Sequence, residues 1–563
     1  MIRRSTIAVV LIALSGCASF ERLDLRAEFP EVYGTLEPFA SEAVYFVVTD
    51  RFVDGDPSNN YPQQGGDDAR RTFDRPIVDL EGRAANIGYL GGDFKGIVDH
   101  AGYIRDMGFT ALWLTPIVSN PDEAFTGGFN LGEAFFADHG KTGYHGYWGV
   151  NFYEQDEHLV SRNLKFADLT RTLRKRYGMK TVLDIVCNHG SPSWSMPVDQ
   201  PMYGELYDGN GKLVADHQNL EPKDLDANNP LHAFFHHEPD LAELSNNDET
   251  NPAVLDYYVN AYLKWIDQGA SAFRVDTIRH MPHPYWKAFS DRIRAQHPGF
   301  FMFGESFDYN ANKIATHTYP ENGAISVLDF PGRQSIADLF EKDGLGFDHL
   351  LDYLHLTDRV YHNPYELMTF YDNHDMARMN ADAEGFIDAH NWLFTSRGIP
   401  VIYYGSEIAF RAGRPEHGGN RDYFGVDNIA VAKEHPIRQR LARIANLRKA
   451  SPALQRGVQA NVKFDGDHAI FYRVYQHDDT VQTALVLLNK GDTSQELKVT
   501  KWLSPGTWRD AFTNAQVFVS PEEPQLRATV APHDVRVFLL DAVNTSVSLA
   551  PTLAQLHSRA QRR

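Results

Sequence analysis

Short apolar runs that stop at polar or charged residues recur along the chain, and stretches with helical spacing lie between them. Ala43 to Val48 runs into Thr49-Asp50-Arg51, and Phe109 to Pro116 is a second such run. Lys180 to Val186 is a third, and Ala272 to Val275 stops at Asp276. Phe301 to Gly304 stops at Glu305, Ile325 to Phe330 follows, Met368 to Tyr371 enters Asp372-Asn373-His374-Asp375, and Ile399 to Tyr404 is the last. Runs this short and this apolar are strands buried on both faces. Helical patterns separate them: Phe94 to Met107, Phe166 to Tyr177, Val254 to Asp267, Tyr285 to Gln296, Arg333 to Glu341, Gly385 to Ser396 and Pro436 to Ala450. Eight strands alternating with helices predict an α/β fold, a (β/α)8 TIM barrel. The competing architecture is an open doubly wound sheet. That fold calls for a glycine-rich phosphate turn after its first strand, and none is present.

Two breaks in the alternation divide the chain. Residues 190–245 are polar and weakly periodic, and read as a domain inserted after the third strand. From about residue 453 the pattern changes to short alternating runs, such as Ala469 to Val474, Ala484 to Leu488 and Val535 to Leu540. These predict a C-terminal antiparallel β-sandwich to residue 541. The barrel then comprises 41–189 and 246–452. Residues 18–40 are expected to be a linker, and the polar stretch 542–563 a loose tail.

The barrel fixes where chemistry belongs. Strand ends share one rim, and active sites form at the C-terminal rim. Three runs deliver carboxylates there: Asp276, Glu305 and Asp375. Arg274 and Asp276 are two apart and point to the same strand face. A buried Arg beside a buried Asp is costly unless satisfied. Taken alone, the pair is equally a structural ion pair at a strand end.

Composition narrows the partners. A net charge of −20 argues against nucleic acid or an anionic membrane surface. The 26 Tyr and eight Trp supply many flat amphipathic faces, which suit a sugar ligand. The loop Asp54, Asp56, Asn59, Asn60 places four oxygen side chains within seven residues, with Gly55 and Pro57 forcing a turn. Such oxygens suit a hard cation such as calcium. The same residue types also build plain polar turns. Gly91 and Asp93 are placed to join them.

At the N-terminus, Arg3-Arg4 precedes the apolar run Ile7 to Leu14, too short to span a membrane as a mature helix. The run ends Leu14-Ser15-Gly16-Cys17, which resembles a bacterial lipoprotein signal. That resemblance implies cleavage before Cys17, acylation of its thiol and export to the outer membrane. The alternative is an ordinary secretory signal and a secreted protein. Cys187 is the one other cysteine and is expected to be an inert buried thiol. A monomer is expected.

Four segments in order carry a larger resemblance: Asp184-Ile185-Val186-Cys187-Asn188-His189, Phe273-Arg274-Val275-Asp276, Phe303-Gly304-Glu305 and Phe370-Tyr371-Asp372-Asn373-His374-Asp375. With them the chain resembles the α-amylase family of glycoside hydrolases, family 13, over about residues 43–541. Tyr144-His145-Gly146-Tyr147-Trp148 and the Asp54–Asn60 loop are similar to bacterial amylases and cyclodextrin glucanotransferases. The resemblance implies a retaining enzyme acting on α-1,4-glucan. Asp276 would be the nucleophile, Glu305 the acid/base and Asp375 the carboxylate that holds sugar hydroxyls. His145, Tyr147, Trp148, His189, Arg274, Arg279, His374 and Arg421 would bind substrate. Arg274 would favour an ionised Asp276, and the apolar strand before Glu305 would favour a protonated one. Calcium would be held by Asp54, Asp56, Asn59, Asn60, Gly91 and Asp93. A second ion would use Asn188, the His280 carbonyl and Glu243, where the family has Asp.

One departure bears on the reaction. Glucanotransferases place an aromatic residue just before the Asp-Leu-Ala segment, and this chain has Pro239 before Asp240-Leu241-Ala242. No starch-binding module is evident after the sandwich. Both points are expected to favour hydrolysis over cyclisation; within the family, a cyclodextrin glucanotransferase or a cyclomaltodextrinase-type transglycosidase or hydrolase is the alternative. A surface protein that binds glucan without cleaving it is the reading from another class, and the three intact carboxylates oppose it.

Overall fold

The computed structural model describes residues 31–79, 81–130, 137–542 and 544–561. The signal segment and Cys17 lie outside the described residues. No helix among the described residues is long and apolar enough to cross a membrane.

All eight expected barrel strands form: β1 Val44–Val47, β2 Ala111–Leu114, β3 Lys180–Ile185, β4 Ala272–Val275, β5 Phe301–Gly304, β6 Ser326–Val327, β7 Met368–Thr369 and β8 Ile399–Tyr403. They are parallel and paired in the order β6-β5-β4-β3-β2-β1-β8-β7. A parallel bridge between Leu328 and Met368 joins the two ends, so the barrel is nearly closed. Every residue of β1, β2, β4 and β5 is buried. Each strand is covered by the barrel interior on one side and a helix on the other, which explains the unbroken apolar runs.

The helices start and stop as their ends dictate. Asp93 caps Phe94–Asp106, its carboxylate accepting from the Gly96 amide at 2.6 Å. That helix buries Phe94, Ile97, Ala101 and Ile104, one stripe at helical spacing. Asn251, Asp329 and Asp382 cap three later barrel helices in the same way.

Between β3 and the helix Pro252–Asp267, residues 189–250 contain two small antiparallel pairs. His189–Pro192 pairs with Leu244–Asn246, and Glu205–Tyr207 with Leu213–Asp216. After the barrel, a six-stranded antiparallel sheet starts at Val458–Asp465, and the pair Gln495–Val499 with Leu526–Val530 lies beside it. The joint to the barrel is polar and buried: Arg473 donates to the Thr395 carbonyl at 2.8 Å and to the Gly457 carbonyl.

Three sequence expectations change. The run Ile325 to Phe330 yields only the two-residue β6, because Phe330 already begins the helix Phe330–Glu341. The tail is not loose: Ala550–Ala560 is a helix, and Leu549, Leu553, Leu556 and Ala560 bury one stripe against the sandwich. The described end of the linker is also packed. Val32 pairs with Gln476 on the sandwich, and Phe39 stacks on Phe301 at 4.6 Å. Cys187 is buried and unpaired, and burial pushes its thiol pKa up.

Candidate active site

Asp276 follows the last residue of β4 and Glu305 the last of β5. The sheet ladder continues one residue past each strand: the Asp276 amide donates to Ile185 at 2.9 Å, and the Glu305 amide to Val275 at 2.8 Å. Both acids are therefore held by backbone as firmly as the barrel itself. Beyond Asp276 the chain turns sharply, with Thr277 in the left-handed region at φ 47°, an uncommon conformation for a β-branched residue. Gly304 cannot carry a side chain, because a Cβ there would lie 2.5 Å from Ile278.

One guanidinium organises the carboxylates. Strand register sets Arg274 beside Asp184 of β3 and Phe303 of β5. Arg274 Nη1 donates to Asp276 at 2.7 Å and to Asp184 at 2.8 Å. Its Nη2 lies 3.0 Å from Glu305, an ion pair rather than an aligned hydrogen bond. Asp184 also accepts from Trp113 Nε1 at 3.0 Å and from the Tyr147 hydroxyl at 2.8 Å. Burial pushes the Asp184 carboxyl up to about 7, against the pull of Arg274.

Glu305 experiences the same competition with a different balance. Burial pushes its carboxyl up to about 8; Arg274 opposes this, while Asp375, Asp276 and Asp184 add to it. Its Oε1 has no hydrogen-bond partner. Asp375 is raised by burial and by Glu416, and lowered by Arg421. Arg421 Nη2 donates to Asp375 at 2.7 Å and lies 3.0 Å from Glu416, while its Nε donates to the His374 carbonyl.

These groups open onto a cleft of about 660 Å³ at the C-terminal rim. Asp276, Glu305 and Asp375 line it together. So do His145, Tyr147, Trp148, His189, Arg279, His374 and Arg421. Arg274 does not: it is fully buried beneath the cleft, spent on the carboxylates, and positions them rather than touching a ligand. Tyr147 stacks on His374, ring centres 5.3 Å apart. Trp148 is largely packed among Phe125, Met196 and Tyr203. Burial holds His145, His189 and His374 below the usual imidazole pKa, so they face the cleft as neutral rings.

The oxygen-rich loop is partly as expected. Asp54 Oδ1, Asn59 Oδ1 and Asn60 Oδ1 are all buried with no hydrogen-bond partner. Gly91, at φ +90°, closes over them; a Cβ there would meet Asn60 Oδ1 at 2.5 Å and Asp54 Oδ2 at 2.8 Å. Asp93 bridges the loop to its helix, accepting from Asn59 Nδ2 at 3.1 Å and from the Gly55 amide at 3.1 Å. Burial raises the Asp93 carboxyl to about 6. Buried acceptor oxygens without donors fit a hard cation. The Asp56 carboxylate is not among them. It caps the turn Pro57–Asn59, accepting from the Ser58 amide and hydroxyl.

The second expected cation set is corrected. Asn188 Nδ2 donates to Asp240 at 3.0 Å, and the His280 ring lies 3.0 Å from the same carboxylate. Glu243 is turned toward Gly128 and Asp138 instead. Asp240, three residues earlier, meets Asn188 and His280 instead, and Ala242 between the two acids turns the chain through a left-handed φ of 44°.

Sequence reasoning assigned no part to Asp184, Asp240 or Glu416. The register of β3 against β4 was the available signal for Asp184.

A family model described as the alpha-amylase catalytic domain matches residues 46–423. The α-amylase of Niallia circulans is 30% identical over 503 residues, covering 85% of this chain and 86% of that protein. The cyclomaltodextrin glucanotransferase of Bacillus licheniformis is 28% identical over 533 residues, covering 90% of this chain and 67% of that protein. Among solved structures, a cyclomaltodextrin glucanotransferase with a three-domain ABC distribution aligns with a TM-score of 0.70 at 28% identity. It covers 89% of this chain and 99% of that one. The matched model spans barrel, cleft and carboxylates alike, and the chain belongs to the α-amylase family of glycoside hydrolases and transglycosylases.

Proposed function

We propose that this enzyme is a retaining hydrolase of α-1,4-glucosidic bonds in starch, glycogen or maltooligosaccharides. The observation that carries the reading is the pair Asp276 and Glu305 on adjacent strand ends, both held by Arg274, with Glu305 pushed up to about 8. Near neutral pH Glu305 then carries a proton. Asp276 attacks the anomeric carbon, the bond to the leaving oxygen breaks, and Glu305 gives that oxygen its proton. Water then attacks the glycosyl ester, losing its proton to Glu305 and freeing Asp276. Asp375, tied to Arg421, accepts from sugar hydroxyls. The neutral rings of His189 and His374 supply hydrogen bonds without adding charge.

Hydrolysis is favoured over cyclisation by Pro239, an exposed residue where an aromatic would offer a stacking face. Chain length does not discriminate, since the three-domain structural relative is itself a glucanotransferase. Glucanotransferase activity is accordingly the second reading, favoured by the relatives that carry that name.

Calcium would be held by Asp54, Asn59, Asn60 and Asp93, with Gly91 closing the cradle. It would supply charge neutralisation and loop rigidity, remote from bond breaking. Export with acylation of Cys17 at the outer membrane rests on the Arg3-Arg4, Ile7–Leu14 and Cys17 pattern. A monomer acting on a glucan partner completes the reading.

The test is a time-resolved product profile from soluble starch and from β-cyclodextrin, for wild type, Asp276→Ala and Glu305→Gln. Wild type yields short linear maltooligosaccharides. Glu305→Gln loses on the order of 10²–10⁴-fold in turnover, the share typical of a positioned proton donor, and Asp276→Ala at least as much. Cyclodextrins as the chief early product would replace hydrolysis by the second reading. Near-normal turnover in either variant, with circular dichroism unchanged, would remove the assigned roles.

A further inference from the structure

Two of the three carboxylates are held by the sheet, and the third is not. The amides of Asp276 and Glu305 extend the strand ladder, whereas Asp375 lies in the loop beyond Thr369, the last residue of β7. Its amide donates within that loop, to Asn373 Oδ1 at 2.9 Å. Its partner Arg421 stands on a second loop, after β8. Loops move more than the strands they join. A carboxylate on one loop, tied to a guanidinium on another, therefore needs a support that fixes both.

Arg378 occupies that place. Its side chain is buried and does not line the cleft. Its Nε donates to the carbonyl of Asn420, next to Arg421, at 3.0 Å, and its Nη1 to the carbonyl of Tyr404, just past β8, at 2.8 Å. The guanidinium lies over the Tyr403 ring, 4.2 Å from its centre, where a cation is attracted to the ring face. Its backbone makes the same crossing. The Arg378 amide donates to the Arg414 carbonyl at 3.1 Å, and the Gly413 amide to the Arg378 carbonyl at 3.2 Å.

Asn420 returns the contact. Its Nδ2 donates to the Asn373 carbonyl at 2.9 Å and to the Met376 carbonyl, on either side of Asp375. Asp372 adds a further crossing, accepting from the Ser406 hydroxyl at 3.3 Å. The chemistry of Arg378 suits the task. A guanidinium presents its donors in a rigid fork that spans two carbonyls, whereas a Lys ammonium is a single point.

We propose that Arg378 and Asn420 are positioning residues: they lock together the loops that carry Asp375 and Arg421, and so aim the third carboxylate at the sugar. The inference rests on the role given to Asp375 in the hydrolase reading and adds how that carboxylate is held.

Arg378→Lys keeps the charge and breaks the fork. With maltohexaose, kcat should fall about ten- to a hundredfold, the order of loss when a group is misplaced by about 1 Å. KM should stay within about twofold, because bonds to sugar hydroxyls strengthen in the transition state. In an Asp375→Ala background the same substitution should cost nothing more, since the group it aims is gone. Losses that multiply overturn the proposal, and so does an unchanged kcat. Hydrogen exchange reads the lock without turnover. In Arg378→Lys, exchange should quicken across residues 373–379 and 420–421 and keep the wild-type rate at Asp276 and Glu305. Faster exchange throughout makes Arg378 a support of the whole barrel and overturns the proposal. Wild type inactive on maltohexaose removes the hydrolase reading by itself, and exchange still decides the lock. If Arg378→Lys does not fold, Asn420→Ser carries both measurements; it cuts the two bonds to the Asp375 loop and leaves the carbonyl that Arg378 uses. Failure of both variants to fold rejects a positioning role.

Discussion

Asp276 and Glu305 are both carboxylates, both buried and both within reach of one guanidinium, and their difference lies in contact. Asp276 takes a short hydrogen bond from Arg274, whereas Glu305 keeps an oxygen without a donor. That difference predicts a pH profile. Activity that needs protonated Glu305 should fall as pH rises through about 8. Stability follows the same direction. The folded carboxyl titrates above its ordinary 4.5, so the folded state binds more protons. Its contribution is complete below about 4.5 and is lost as pH rises through about 8. Glu305→Gln should flatten that decline in a series of melting temperatures against pH. An alkaline limb of kcat/KM centred below pH 6 would contradict the assignment. Asp276 and Glu305 were legible in the sequence because an apolar run that stops at a carboxylate marks a strand end, and Asp375, three residues past Asp372, through the family motif. Asp184 was not legible as their companion, because it lies inside a strand and its meaning comes from register with Arg274. Glu243 misled because spacing along a motif carries no information about a backbone turn at Ala242.

At the scale of elements, the loop Asp54–Asn60 joins β1 to its helix through Asp93. Three orphaned oxygens lie in that loop, and an ion that binds only the folded loop stabilises the fold by mass action. Calcium at a hundredfold excess over its Kd should add about 2.7 kcal/mol. The check is the melting temperature with calcium and with chelator. Asp54→Ala should abolish the difference while Asp56→Ala, whose carboxylate caps a surface turn, should leave most of it. Equal responses in both variants would place the ion elsewhere. Helices and strands were read well wherever packing and capping agree, as over Phe94–Asp106, which Asp93 caps. The tail helix was missed because its stripe is only Leu549, Leu553, Leu556 and Ala560 in a polar sequence. Four such positions define a helix only when a partner surface exists, and the partner is the sandwich.

In the whole molecule the eightfold alternation was legible because a barrel repeats one local rule. The way the two chain ends meet was not, since it depends on contacts far apart in sequence. Val32 joins the sandwich at Gln476, and Tyr33 packs edge-on against His557 of the tail helix at 4.5 Å. Acylation of Cys17 predicts that Cys17→Ser shifts activity from the membrane pellet to the soluble fraction. Equal partition of the two proteins would reject the anchor. The same contacts would take the load of such an anchor. Phe39 stacks on Phe301, the first residue of β5, and so lies at the N-terminal rim, whereas Asp276 and Glu305 lie at the opposite one. A lipid hook ahead of Glu31 would pull first on the sandwich and the tail helix, which hold Val32 and Tyr33.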